Sequence, residues 1–199
     1  MALACERGGR RLFSDLAFAL QAGSLLRVRG ANGTGKTTLL RTLAGLTRPA
    51  AGEVRWRGTA IDDGYRRQML FLGHAPAIKD ELTVAENLVY TLRIGGFEPS
   101  GAQYERALES FGIVRLAALP ARVLSQGQRK RAALARLALS AQVPLWLLDE
   151  PFSALDGAGI AAVSELCSAH IARGGLVVLT SHQDVDIAAQ ATQSLELQG

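Results

Sequence analysis

The chain has 199 residues, of which 48% are hydrophobic, 20% charged and 6% aromatic, and it carries a net charge of +4 at pH 7. That balance describes a globular domain and excludes a disordered, fibrous or low-complexity chain. The most apolar stretch, Leu134 to Leu148, is broken by Arg136, Ser140, Gln142 and Pro144, so no segment supplies the roughly 18 apolar residues that a membrane-spanning helix requires.

In chain order, Leu12 to Leu20, Leu25 to Arg29 and Glu53 to Arg57 are short, partly alternating runs. Gly23 and the stretch Pro49-Ala50-Ala51-Gly52 separate them, a pattern that predicts an antiparallel β region. A further strand is expected over Met69 to Gly73. From Thr83 to Ala141 the periodicity turns helical. Thr83 with Glu86, and Ser125 with Gln128, form capping boxes, the second opening a helix that carries Leu134, Leu137, Ala138 and Ala141. Gly95 to Gly101 reads as a loop inside this helical insert. Strands at Leu145 to Leu148 and Leu176 to Thr180 follow, with a helix between them from about Ala158 to Arg173. Alternating strand and helix patterns predict an α/β fold with a mainly parallel sheet.

Leu25 to Arg29 runs directly into Gly30-Ala31-Asn32-Gly33-Thr34-Gly35-Lys36-Thr37 and then into the helical Thr38 to Ala44, ending at Gly45. This order is strand, P-loop, helix. Glycines at 30, 33 and 35 let successive backbone N–H groups curl inward, and the helix beginning there adds its positive dipole end, so phosphates find a ready cradle. Lys36 is expected to reach the β- and γ-phosphates, Thr37 to hold Mg²⁺, and Thr38 to reach an α-phosphate oxygen. A P-loop needs a carboxylate on a neighbouring strand, and Asp149, at the tip of Leu145 to Leu148, is the candidate metal partner. Glu150 lies just beyond it, where it is expected to orient a water in line with the γ-phosphate and accept its proton. That pairing points to hydrolysis rather than phosphoryl transfer to a second substrate.

Three later segments resemble one family. Leu124-Ser125-Gln126-Gly127-Gln128 is similar to the signature of the ATP-binding cassette (ABC) ATPases, Glu150 to Asp156 looks like their Walker B tail and D-loop, and Thr180-Ser181-His182 resembles their switch histidine. The resemblance implies a P-loop NTPase of ABC type: a RecA-like core, an N-terminal antiparallel β part near residues 1–30 and 52–62, and a helical subdomain near 82–141, in one domain over 1–199. It also implies a head-to-tail pair of chains, with Ser125, Gly127 and Gln128 of one copy reaching the nucleotide held by the other. In that picture Asp156 couples the two copies and His182 contacts the γ-phosphate.

More narrowly, Cys5-Glu6-Arg7, Gly73-His74 with Pro76-Ala77-Ile78-Lys79, and Glu81-Leu82-Thr83 with Glu86-Asn87-Leu88 resemble the ATP-binding subunits of the bacterial cytochrome c maturation system. That likeness implies integral membrane partners of the same system, a role in haem export or haem-chaperone release, and a peripheral place on the cytoplasmic face of the inner membrane. The chain departs from the pattern in three places. Ala75 stands where a Gln is usual, leaving His74 as the loop's candidate contact to metal and water. Gln126 replaces a glycine of the signature. Arg7 occupies the place of the aromatic residue that stacks on adenine, and a guanidinium can take over that stacking.

Cys5 and Cys167 sit in no ligand spacing and read as small apolar residues of a reducing compartment. The N-terminal residues show no secretory h-region, which also favours the cytosol. No haem site is expected on this chain, since it has no Cys-x-x-Cys-His segment. Its cations are scattered without interleaved aromatics, so no nucleic acid partner is expected. Two other readings remain compatible with the sequence: a nucleic-acid or ribosome-associated cassette ATPase, encouraged by the positive charge, and an ATP-gated scaffold with weak hydrolysis, permitted by the missing loop Gln.

Overall fold

A computed structural model describes residues 2–198 except Phe97 and Pro99. The strands are β1 (Leu3–Arg7), β2 (Arg10–Leu16), β3 (Ser24–Arg29), β4 (Arg55–Trp56), β5 (Thr59–Ala60), β6 (Met69–Leu72), β7 (Leu145–Asp149), β8 (Leu176–Thr180) and β9 (Ala191–Glu196). The helices are α1 (Lys36–Leu43), α2 (Val84–Ile94), α3 (Gly101–Ser110), α4 (Gln126–Leu139) and α5 (Gly157–Ala172).

The central sheet has the order β6-β7-β8-β3-β9, and every neighbouring pair is parallel. Its inner strands are apolar on both faces, as strands covered by helices on both sides must be. Leu25, Trp146, Leu148, Val177 and Leu179 face a core completed by α2 to α5. Their alternates Leu26, Val28, Leu145, Leu147 and Val178 face a second core with Leu39, Leu40 and Leu43 of α1 and residues of β1 and β2. Burying each such side chain contributes about 1.5–3 kcal/mol.

This arrangement corrects the grouping of Leu25 to Arg29 with the antiparallel part. β3 pairs parallel with β8 on one side and with β9 on the other, because Leu25 and Leu26 bury in opposite cores and neither face is left for solvent. Among the described strands, β1 pairs antiparallel with β2 and β4 with β5, and isolated antiparallel bridges join Ala4 to Ala51 and Thr83 to Pro120. The run expected from Leu12 to Leu20 is a strand only to Leu16, and Glu53 to Arg57 narrows to Arg55–Trp56. β9 had no sequence signal, since its six residues are mostly polar and exposed at the sheet edge.

Helix starts follow the capping chemistry. Thr83, Ser100 and Ser125 each cap a helix with a complete capping box. The glycine-rich stretch is shorter than a full loop: Gly95 and Gly96 form a turn, Gly101 already opens α3, and Phe97 and Pro99 of that prediction lie outside the described residues. α4 ends at Leu139 and does not include Ala141. α5 starts at Gly157, where the Asp156 carboxylate accepts the Gly159 N–H at 2.9 Å.

Because β3, β7 and β8 are parallel neighbours, their C-terminal ends share one edge of the sheet. The loop after β3, the acids at the end of β7, and Thr180 to His182 are thereby brought together, though 112 residues separate Thr37 from Asp149. Open parallel sheets place ligand crevices at this edge.

Candidate functional site

The loop after β3 curls as the glycines allow. At Gly30, with φ of 140°, a Cβ would lie 2.6 Å from the Leu197 carbonyl oxygen, so no other residue fits without displacing backbone. Thr34 Oγ1 donates to the Ala31 carbonyl at 2.9 Å and braces the curl. Lys36 folds back over the loop, donating to the Gly30 and Ala31 carbonyls at 2.7 and 3.0 Å. α1 begins at Lys36 with neither a side-chain cap nor an acid in its first turn, so its N–H groups and dipole remain available to an anion.

The acids sit opposite. Asp149, 2% exposed, accepts from Thr37 Oγ1 at 2.8 Å through Oδ2 and from Thr180 Oγ1 at 2.7 Å through Oδ1. The same Thr180 oxygen accepts the Glu150 N–H at 2.9 Å. Glu150 has φ of 50°, which turns its side chain away from the strand direction. Its carbonyl accepts from Lys130 Nζ at 2.9 Å and from Ser153 Oγ at 3.0 Å. Burial pulls the Lys130 ammonium below its usual range, opposed by the neighbouring Asp149 and Glu150. The Glu150 Oε1 atom is buried without a hydrogen-bond partner, and His182 Nε2 is 3.5 Å away. A carboxylate oxygen held this way can accept a proton from a water.

These groups line a cleft of about 520 Å³ that collects Arg7, Asn32, Gly33, Gly35, Lys36, Thr37, Thr38, His74, Asp149, Glu150 and His182, with Leu12 and Ser153 beside them. His74 also lines an adjoining groove of about 380 Å³ with Thr37, Lys130 and Asp149. Gly30, Ala31 and Thr34 form the loop behind the cleft.

Ser125, Gly127, Gln128 and Asp156 are not in its wall. Ser125 and Gln128 are spent on each other: the Gln128 N–H reaches Ser125 Oγ at 3.3 Å, and the Ser125 N–H reaches Gln128 Oε1 at 3.0 Å. Asp156 caps α5 and takes a hydrogen bond from Arg131. Sequence reasoning missed Thr180, Lys130 and Ser153 as members of the site. The pairing of Asp149 with Thr180 across β7 and β8 is a fact of register, and nothing in either local sequence announces it.

The family described as ABC transporter matches residues 13–153, from β2 through the turn after β7. The chain belongs to the ABC transporter ATP-binding family. Like other ABC ATPases it binds and hydrolyses ATP. The "cytochrome c biogenesis ATP-binding export protein CcmA" of Albidiferax ferrireducens is 49% identical over 98% of this chain and 94% of its own length. The protein of the same name from Methylococcus capsulatus is 50% identical over 93% of this chain and 90% of its own. Among solved structures, an ATP-binding subunit of an ABC transporter superposes with a TM-score of 0.79 at 28% identity, covering 90% of this chain and 77% of that one. A dimeric ATP-binding cassette in a post-hydrolysis state with ADP and phosphate has a TM-score of 0.78 at 25% identity, covering 100% of this ABC protein and 94% of its own chain.

Proposed function

We propose that the chain is the ATP-hydrolysing, energy-coupling subunit of a transporter acting in c-type cytochrome biogenesis, in haem export or haem-chaperone release. Membrane subunits of the cytochrome c maturation system supply the passage, and this subunit sits peripherally at the cytoplasmic face of the inner membrane. No helix among the described residues is long and apolar enough to cross a bilayer, so the passage is assigned to partners. The relatives named above support the pathway.

The observation that carries the enzymatic part is the buried, unpartnered Glu150 Oε1 beside His182, on the residue next to Asp149. Glu150 takes a proton from a water as the water's oxygen bonds to the γ-phosphorus. The bond from the γ-phosphorus to the bridging oxygen breaks, and ADP and phosphate leave. Lys36 exchanges the Gly30 and Ala31 carbonyls for phosphate oxygens, Thr38 and the N–H groups of residues 30 to 35 cradle the rest, and His182 holds the γ-phosphate end. Thr37 and Asp149 offer hard oxygens, which suit magnesium far better than nitrogen or sulfur would. Bound there, Mg²⁺ would neutralise phosphate charge. His74 borders the same region, and Arg7 stacks on the adenine.

Ser125, Gly127 and Gln128 lie outside their own chain's cleft, which favours their serving a second copy in a head-to-tail dimer with Asp156 at the contact. The dimeric structural relative supports that pairing.

Glu150→Gln tests the reading. Its turnover should fall by several orders of magnitude, as removing an essential general base commonly does, while ATP still binds and light scattering shows an ATP-dependent dimer. An unchanged rate would remove Glu150 from the chemistry, and a monomer under saturating ATP would remove the pairing.

A further inference from the structure

The turn after β7 holds two non-glycine residues in the left-handed region, Glu150 at φ 50° and Ala154 at φ 60°. Such conformations cost about 1–3 kcal/mol each and persist where the surroundings over-determine them. One face of α4 touches this turn at both places. Lys130 Nζ bonds the Glu150 carbonyl at 2.9 Å. Gly127 packs so close to the Ala154 carbonyl that a Cβ there would stand 3.1 Å from its oxygen. Arg131, next on that face, hydrogen-bonds Asp156 where the turn ends and α5 begins. Residues 127, 130 and 131 are spaced i, i+3, i+4, so they form one stripe of the helix.

The stripe is polar where an α-helix facing its own domain is ordinarily apolar. Lys130 is only 6% exposed, and its head is aimed at a backbone carbonyl rather than at solvent. With Thr180 holding the Glu150 N–H, the peptide groups on both sides of the Glu150 α-carbon are tied, one to β8 and the other to α4.

The geometry points to Lys130 as a positioning residue for hydrolysis: by holding the Glu150 carbonyl it aims the carboxylate into the cleft and makes that aim depend on where α4 sits. The proposal rests on the reading of Glu150 as the base. It gives α4 a task within its own chain, separate from whatever the exposed Ser125 end contacts.

The test compares Lys130→Met, Lys130→Arg and Glu150→Gln in the full-length chain by steady-state ATP hydrolysis and by binding of a fluorescent ATP analogue. Met keeps an unbranched apolar stem, one heavy atom shorter than Lys, and loses the donor, so kcat should fall at least about tenfold while KM and analogue affinity stay within about twofold. Arg restores a donor and should recover most of the lost turnover. Should the Met variant fail to fold, Lys130→Gln, whose head falls one bond short of the carbonyl, is read by the same criteria. A Met variant with kcat within about twofold of the parent overturns the proposal, as does a matched loss of affinity or an Arg variant as slow as Met. If Glu150→Gln hydrolyses at the parental rate, both readings fall; if it is inactive while Lys130→Met is not, only this one does.

Discussion

Thr180 Oγ1 donates to Asp149 at 2.7 Å and accepts the Glu150 N–H at 2.9 Å, so one fully buried hydroxyl serves both acids of the site. Valine has nearly the same shape and neither function. Thr180→Val should therefore leave a carboxylate oxygen and an N–H short of partners inside the protein. The expected cost is about 2–3 kcal/mol of folding stability, read from the urea midpoint, with a fall in ATP turnover larger than the rise in KM.

Thr37 and Asp149 stand 2.8 Å apart through their oxygens. If both reach magnesium, Asp149→Asn should raise the Mg²⁺ concentration for half-maximal hydrolysis at least about tenfold, the lower bound seen when even an outer ligand partner is lost. A magnesium titration of ATPase activity checks this, and an unshifted midpoint with a reduced plateau would place Asp149 outside the metal shell.

His170 stacks on Trp146 with ring centroids 4.0 Å apart and is 1% exposed. Burial pushes its pKa from 6.5 down to about 4. The folded form therefore resists protonation while the unfolded form accepts it. The neutral ring contributes no pH dependence above about pH 6.5, and stability then declines as pH falls toward about 4, by about 3 kcal/mol in all. Urea unfolding at pH 7, 6 and 5 should show the decline, and in His170→Gln the slope between pH 6.5 and 5 should largely vanish.

The two ends of the phosphate loop should respond differently to the same change. At Gly33, with φ of 85°, a Cβ would meet nothing within 4 Å, so alanine should cost only the backbone strain, about 1–2 kcal/mol. At Gly30 a Cβ would also press 2.6 Å from the Leu197 carbonyl, and alanine should cost clearly more. Thermal unfolding of the nucleotide-free variants would rank them, and equal losses would contradict the packing of Gly30 against β9's exit.

Much of the site was legible in the chain because its signals are local. A glycine-rich curl between a strand and a helix, an acid pair closing an apolar strand, and Ser or Thr three residues before Glu or Gln all do their work through near neighbours. The Thr83 and Ser125 caps appear where the spacing placed them, and the loop from Gly30 to Thr37 lies where its glycines put it. Tertiary structure decided what depends on pairing between distant segments. Polar β9 is a strand because β3 lends it a ladder of hydrogen bonds, and β3 joins the parallel sheet because both its faces find a core. Thr180 enters the site through its register with Asp149, and Lys130 through the contact of α4 with the turn after β7. Backbone hydrogen bonding is blind to side-chain identity, so register and helix placement are chosen by the packing of the whole domain, and those choices gave Thr180 and Lys130 hydrogen bonds to Glu150 that no local sequence pattern assigned to them.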